Sequence, residues 1–333
     1  MNATGSFVSV LGPTIAQYVG LKRALGRRFD CEQSVLASLD AFLAADEGSE
    51  LSADTFARWC DTQRHLRSGV RRRRMQIVRN LALYHQRQEP TCFVPDPLLF
   101  PSQHQPVRPY IFTHGEIAKL IEVAERLKPS RDNPVRAEVF TLALTLLYTT
   151  GLRRGELLRM TVGDYDMRER ALLVRESKFH KSRFLPLSAD GVLALERYLQ
   201  ARRTRRLRVS PETPLIWNRR GGGERAYTPT GFVEVVNQLL EVTGIRKPDG
   251  RLPRIHDLRH AFAAHALLRW YRAGEDVQAK LPFLATYMGH VSIVSTEYYL
   301  HLTEPVASCA SERFANRYAG LIRPFPIPQG GNQ

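Results

Sequence analysis

With 333 residues, 43% of them hydrophobic, the chain can bury a core in each of two ordinary domains, which excludes a disordered protein. Lys and Arg number 48 against 33 Asp and Glu, and the formal charge of +15 favours a polyanionic partner, nucleic acid first. Cys31, Cys60, Cys92 and Cys309 are scattered, without a C-x-x-C pair or a secretory segment, which argues against a disulfide framework or zinc ribbon and for reduced thiols in a cytoplasm.

Taken in chain order, residues 14–88 carry apolar side chains at helical spacing: Val35, Leu36, Leu39, Phe42 and Leu43, then Phe56, Trp59 and Cys60, then Val78, Leu81 and Leu83. This predicts a small all-helical domain. Ser52, followed by Asp54 and Thr55, offers an N-cap to the second stretch, and Gly69 separates it from a third that carries Arg71, Arg72, Arg73 and Arg74. That run reads as a solvated helix face, a localisation signal or a phosphate-contacting surface. Between Glu89 and Pro109 the density of Pro90, Pro95, Pro97, Pro101, Pro106 and Pro109 suits neither a helix nor a central strand, and predicts a linker. Beyond it, Thr113 and Glu116 form a capping box for a helix through Arg126, and residues 135–149 make a buried apolar helix. Leu172, Leu173 and Val174, then Phe184, Leu185 and Leu187, flank a polar turn at 177–182 and predict a β-hairpin. Helical spacing returns at 189–207, 230–243, 257–272 and 278–288, with a last short helix at 305–317. The expected fold class is mainly α with a small β-hairpin (α+β), without an internal repeat.

Three segments carry candidate chemistry. In Thr149-Thr150-Gly151-Leu152-Arg153-Arg154-Gly155-Glu156-Leu157, Gly151 falls where a left-handed helix cap is expected, and a new helix opens near Arg153. A cation there opposes the helix dipole, so either an anion shared between Arg153 and the free amides, or a pairing with Glu156, accounts for it. In His256-Asp257-Leu258-Arg259-His260 the spacing puts His256, Arg259 and His260 on one side of a helix start. A zinc site would need an intervening Glu and a third ligand, and His260 alone reads as a structural residue packed against the core. The third segment runs from Tyr287-Met288-Gly289-His290 to Tyr298-Tyr299-Leu300-His301. Asp164 and Asp166 would suit a metal-dependent nuclease, but they lack a third acidic partner nearby.

In order, T-G-L-R-x-x-E-L, a hairpin lysine, H-x-L-R-H, G-H and a tyrosine nine residues beyond His290 resemble the tyrosine recombinase and integrase family. The resemblance implies a two-domain C-shaped clamp on double-stranded DNA. It divides the chain into a helical core-binding (SAM-like) DNA-binding domain at 1–92, a linker at 93–109, a catalytic domain at 110–323 and a tail at 324–333. Arg153 and Arg259 are implied as phosphate-binding residues, His256 and His290 as acid/base or hydrogen-bonding groups, Lys178 as the hairpin lysine and Tyr299 as nucleophile. The Phe179-His180 turn is not glycine-rich, so Lys181 is the alternative to Lys178, and Tyr298 adjoins the nucleophile. The implied activity is site-specific recombination through a 3′-phosphotyrosyl bond, with no cofactor, metal or nucleotide, by a homo-oligomer, a tetramer on paired DNA sites. Residues 304–323 would pack into a neighbouring protomer, in the cytoplasm of a bacterium, on its nucleoid. A type IB-like topoisomerase and a catalytically silent DNA-binding protein are the alternatives.

Overall fold

A computed structural model describes residues 7–46, 50–102, 108–175, 182–220, 223–290, 299 and 311–312. The chain divides into two compact units, Met1–Val107 and Arg108–Gln333. In the first, α1 (Gly12–Ala24), α2 (Asp30–Ala45), α3 (Ala53–Thr62) and α4 (Ser68–His85) close on Ile15, Leu36, Leu39, Leu43, Trp59 and Val78. Ser52 caps α3 as its position suggests: its hydroxyl accepts the Thr55 N–H at 3.2 Å, and Thr55 Oγ1 accepts the Ser52 N–H at 2.8 Å. Such a cap contributes about 1 kcal/mol. The buried Asp40 on α2 accepts the N–H groups of Val8 and Ser9 at 2.8 and 3.0 Å, which pins the chain ahead of α1.

The arginine run on α4 is divided in use. Arg73 pairs with Glu32 at 3.3 Å, whereas Arg72 donates to the Pro101 carbonyl at 3.1 Å and holds the proline-rich stretch against the unit. That stretch forms a 3-10 turn at Pro97–Leu99 and buries Phe100 in the first core.

The second unit is built around α6 (Arg136–Thr150), which is buried nearly all round through Val139, Phe140, Leu142, Ala143, Leu146 and Leu147. Packed on it are α5 (His114–Glu125), α8 (Ala189–Thr204) and α10 (Ile255–Arg272). The expected box opens α5: Thr113 Oγ1 accepts the Glu116 N–H at 3.2 Å, and the Glu116 carboxylate accepts the Thr113 N–H at 2.8 Å. The single turn α7 (Arg154–Leu157) follows α6, and α9 (Pro229–Thr243) and α11 (Val277–Met288) complete the helices among the described residues.

The predicted hairpin is present and is extended by a third strand. The antiparallel sheet runs β1 (Tyr165–Asp166), β2 (Ala171–Val174), β3 (Arg183–Pro186), with Leu172 opposite both Tyr165 and Leu185. A second hairpin, β4 (Trp217–Arg220) with β5 (Gly223–Ala226), stands where no strand was expected. The turn with Lys178 and Lys181, Tyr298, and the helix expected at 305–317 lie outside the described residues, apart from helical residues 311–312. Among the described residues no helix is long and apolar enough to cross a membrane.

Candidate active site

The site begins where α6 ends. Gly151 has φ +62°, and a Cβ there would sit 2.6 Å from the Phe262 ring, so this left-handed turn admits only glycine without displacing α10. The turn delivers Arg153 to the N-cap of α7. Glu156, three residues on, accepts the Arg153 N–H at 3.0 Å and Arg153 Nη1 at 2.9 Å. The Arg153 amide is therefore occupied, and the Glu156 pairing exists. The Arg153 side chain is nonetheless 28% exposed and can still reach a ligand.

Glu156 is buried and also accepts Arg183 Nη1 and Nη2 at 3.2 and 3.0 Å. Burial pushes its pKa up, but the hydrogen bonds and charge of Arg183, then those of Arg153, outweigh it and hold the carboxyl below its usual range. It is ionised at neutral pH.

Arg259 projects from α10 into the interior, 1% exposed, and donates to the carbonyls of Gly151 and, at 2.8 Å, Met288. Burial first and the nearby Arg153 charge second bring its pKa down to about 10, so it keeps its charge. His256, three residues before Arg259, and His260, the residue after it, lie one turn apart on α10 and set their rings edge to face, 4.8 Å apart. Tyr299 is 2% exposed, packed among Ala263, Leu267, Leu281 and Met288. Its hydroxyl lies 3.0 Å from His260 Nδ1, and its ring stacks on His290 with centroids 6.2 Å apart.

All three imidazoles are biased toward the neutral form, chiefly by burial. Arg259 and Arg254 add to the lowering at His256; His260 falls to about 4 with His256 as the next contributor, and His290 to about 4 with Arg259 and Arg153. These groups stay unprotonated when folded and take up protons at about 6.5 when unfolded, so stability is complete above that pH and falls as pH drops toward 4. Urea midpoints of the full chain should fall between about pH 7.5 and 5.5, and an unchanged midpoint would show that the histidines titrate normally.

Arg153, His256, Arg259, His290 and Tyr299 thus meet in one cluster, while Lys178 lies outside the described residues. Two further residues join this cluster that the sequence motifs do not assign to it. Arg183 carries no motif signal, and His260, read there as a structural residue, instead faces the Tyr299 hydroxyl. Asp164 and Asp166 are occupied locally: Asp164 accepts the Thr161 N–H at 2.9 Å and pairs with Arg175, and Asp166 accepts the Arg168 N–H at 2.8 Å. Among the described residues no cluster of three or more His, Cys, Asp or Glu forms a metal site.

Residues 111–305 match the phage integrase family, and the chain belongs to it: it is a tyrosine-type site-specific recombinase. Among its relatives, y4rB of Sinorhizobium fredii, named as an integrase/recombinase, is 29% identical over 93% of this chain and 99% of its own length. The tyrosine recombinase XerC of Oceanobacillus iheyensis is 31% identical over 62% of this chain and 61% of its own. The fold is that of the XerH site-specific recombinase bound to palindromic difH substrate (TM-score 0.62, 17% identity, 92% of this chain and 83% of that one). It is likewise that of the Tn1549 transposon integrase in complex with a circular intermediate DNA (TM-score 0.61, 17% identity, 90% and 99%).

Proposed function

We propose that this recombinase cleaves and rejoins double-stranded DNA at a specific sequence through a covalent 3′-phosphotyrosyl bond at Tyr299. The observation that carries the reading is the Tyr299 hydroxyl at 3.0 Å from His260 Nδ1, within a cluster that also holds Arg153, His256, Arg259 and His290. A free phenol has a pKa of about 10, so attack requires that its proton leave as the new bond forms. A neutral imidazole beside it, His260 or His290, is a suitable acceptor.

The phenolic oxygen bonds to phosphorus, and the bond from phosphorus to the 5′ oxygen breaks. Arg153 and Arg259 donate to the non-bridging oxygens as negative charge gathers there, each contact being worth roughly 3 kcal/mol of barrier. His256 supports them, and Lys178, with Lys181 as alternative, protonates the departing 5′ oxygen. The phosphotyrosyl ester stores the energy of the bond it replaces, so rejoining is the reverse step and needs no nucleotide. Tyr299 is 2% exposed, so in this reading its hydroxyl turns toward bound DNA before attack.

Residues 110–323 supply the chemistry in this reading, residues 1–92 are a core-binding DNA-binding domain, 93–109 the linker and 324–333 a tail. The chain acts as a homo-oligomer, a tetramer on paired sites. Relatives named as recombinases, and the XerH and Tn1549 integrase structures bound to difH substrate and to circular intermediate DNA, support the choice of partner.

The test is a suicide DNA substrate from the gene's own flanks, incubated with the protein and EDTA and resolved on a denaturing gel. A covalent adduct whose peptide maps to Tyr299 is expected; tight binding with no adduct on any flank would leave a silent DNA-binding protein.

A further inference from the structure

The end of α11 gathers three arginines. The carbonyls of Tyr287, Met288 and Gly289 accept, in order, Arg183 Nε at 2.9 Å, Arg259 Nη2 at 2.8 Å and Arg153 Nη2 at 2.8 Å. The last carbonyls of a helix lack intrahelical partners and stand at the negative end of its dipole, so three cations there are well placed. Two of them are the proposed phosphate ligands. The third, Arg183, reaches in from β3 with its side chain 11% exposed.

Arg183 is joined to the cluster from two other sides. Its guanidinium forks onto both oxygens of Glu156, while Arg153 gives that carboxylate one side-chain donor and its backbone N–H. It also fills the space over Gly289, where a Cβ would lie 2.7 Å from Nη1 and 2.8 Å from Cζ. The glycine of the G-H motif is thus the clearance for Arg183 as well as a left-handed helix cap at φ +69°.

We propose that Arg183 is a positioning residue for strand cleavage: by compensating Glu156 and tying the end of α11, it leaves Arg153 able to turn its donors to the substrate phosphate. This rests on the roles assigned above to Arg153 and Tyr299. A buried carboxylate deprived of one of two guanidiniums draws the other onto itself, because an uncompensated buried charge is costly. Without Arg183, the Arg153 guanidinium closes on Glu156 and leaves both Gly289 and the phosphate. The Tyr287 carbonyl also loses its donor, just ahead of the segment that leads through His290 to Tyr299. DNA affinity is drawn from phosphate contacts across the protein and changes little. The rate of attack depends on placement and changes much.

The experiment compares wild type, Arg183→Ala, Glu156→Gln and the double variant. It measures the single-turnover rate of adduct formation at saturating protein, alongside DNA affinity and thermal unfolding. Arg183→Ala is expected to slow adduct formation by about 30-fold while affinity stays within about threefold. In the Glu156→Gln background, with no charge left to compensate, the same change should cost less than about threefold. Arg183→Lys should recover only part of the rate, since an ammonium cannot fork onto the carboxylate and reach the Tyr287 carbonyl together. If Arg183→Ala does not fold, Arg183→Lys takes its place in the cycle, with a cost of about fivefold that Glu156→Gln removes. Equal costs in both backgrounds, in step with lost thermal stability, would overturn the proposal alone. A wild-type protein that binds DNA and forms no adduct overturns the Tyr299 reading, and the proposal with it.

Discussion

Tyr299→Phe should bind its DNA as tightly as wild type and form no covalent adduct at any time of incubation. The substitution keeps the ring that packs among Ala263, Leu267, Leu281 and Met288 and removes only the hydroxyl. His260 Nδ1 loses a partner at 3.0 Å, which should cost about 1 kcal/mol of stability, small beside the complete loss of a nucleophile. A denaturing gel reads the adduct and a mobility shift reads binding. A residual adduct that maps to Tyr298 would transfer the nucleophile's role to that neighbour. Loss of binding together with the adduct would show that the hydroxyl holds the fold.

Arg259→Ala should slow adduct formation by about a hundredfold to a thousandfold, in line with removing an oriented donor from a developing anion. The charge lost is a buried one, held near a pKa of 10 mainly by desolvation, and it faces the carbonyls of Gly151 and Met288. Those two buried acceptors would be left unmet, at about 1–3 kcal/mol each, so the melting temperature should fall as well. Arg259→Lys separates the two effects. It keeps the charge but cannot hold two carbonyls and still direct a planar pair of donors at phosphate, so it should restore more stability than rate. A wild-type rate in Arg259→Lys, measured by single turnover alongside near-UV circular dichroism, would remove Arg259 from the phosphate site.

The helices are legible because their signals are local. Thr113 and Glu116 announce α5 within one turn, and α6 declares its burial through apolar residues from Val139 to Leu147 interrupted only by Thr141 and Thr145. The second hairpin is not legible. Trp217-Asn218-Arg219-Arg220 shows no apolar alternation, and the burial of Trp217 goes with a long-range contact, its carbonyl accepting from Asn133 at 3.2 Å across 84 residues. The site divides in the same way. Arg153, Arg259 and Tyr299 stand in recognisable spacings, whereas Arg183 meets Glu156 across 27 residues and Tyr287 across 104. His260 finds the Tyr299 hydroxyl 39 residues away. A single histidine on a helix face gives no sign of so distant a partner, and a core role is then the natural reading.

The three acceptors at the end of α11 are main-chain atoms, which sets what kind of genetic change this site tolerates. No exchange of side chain at position 287 or 288 abolishes a carbonyl, so a substitution that preserves the core packing of Met288 keeps the arginine anchors in place. Insertion or deletion of one residue within α11 is a different lesion. It rotates the helix end by about 100° and shifts it by about 1.5 Å, aiming all three carbonyls away from their guanidiniums together.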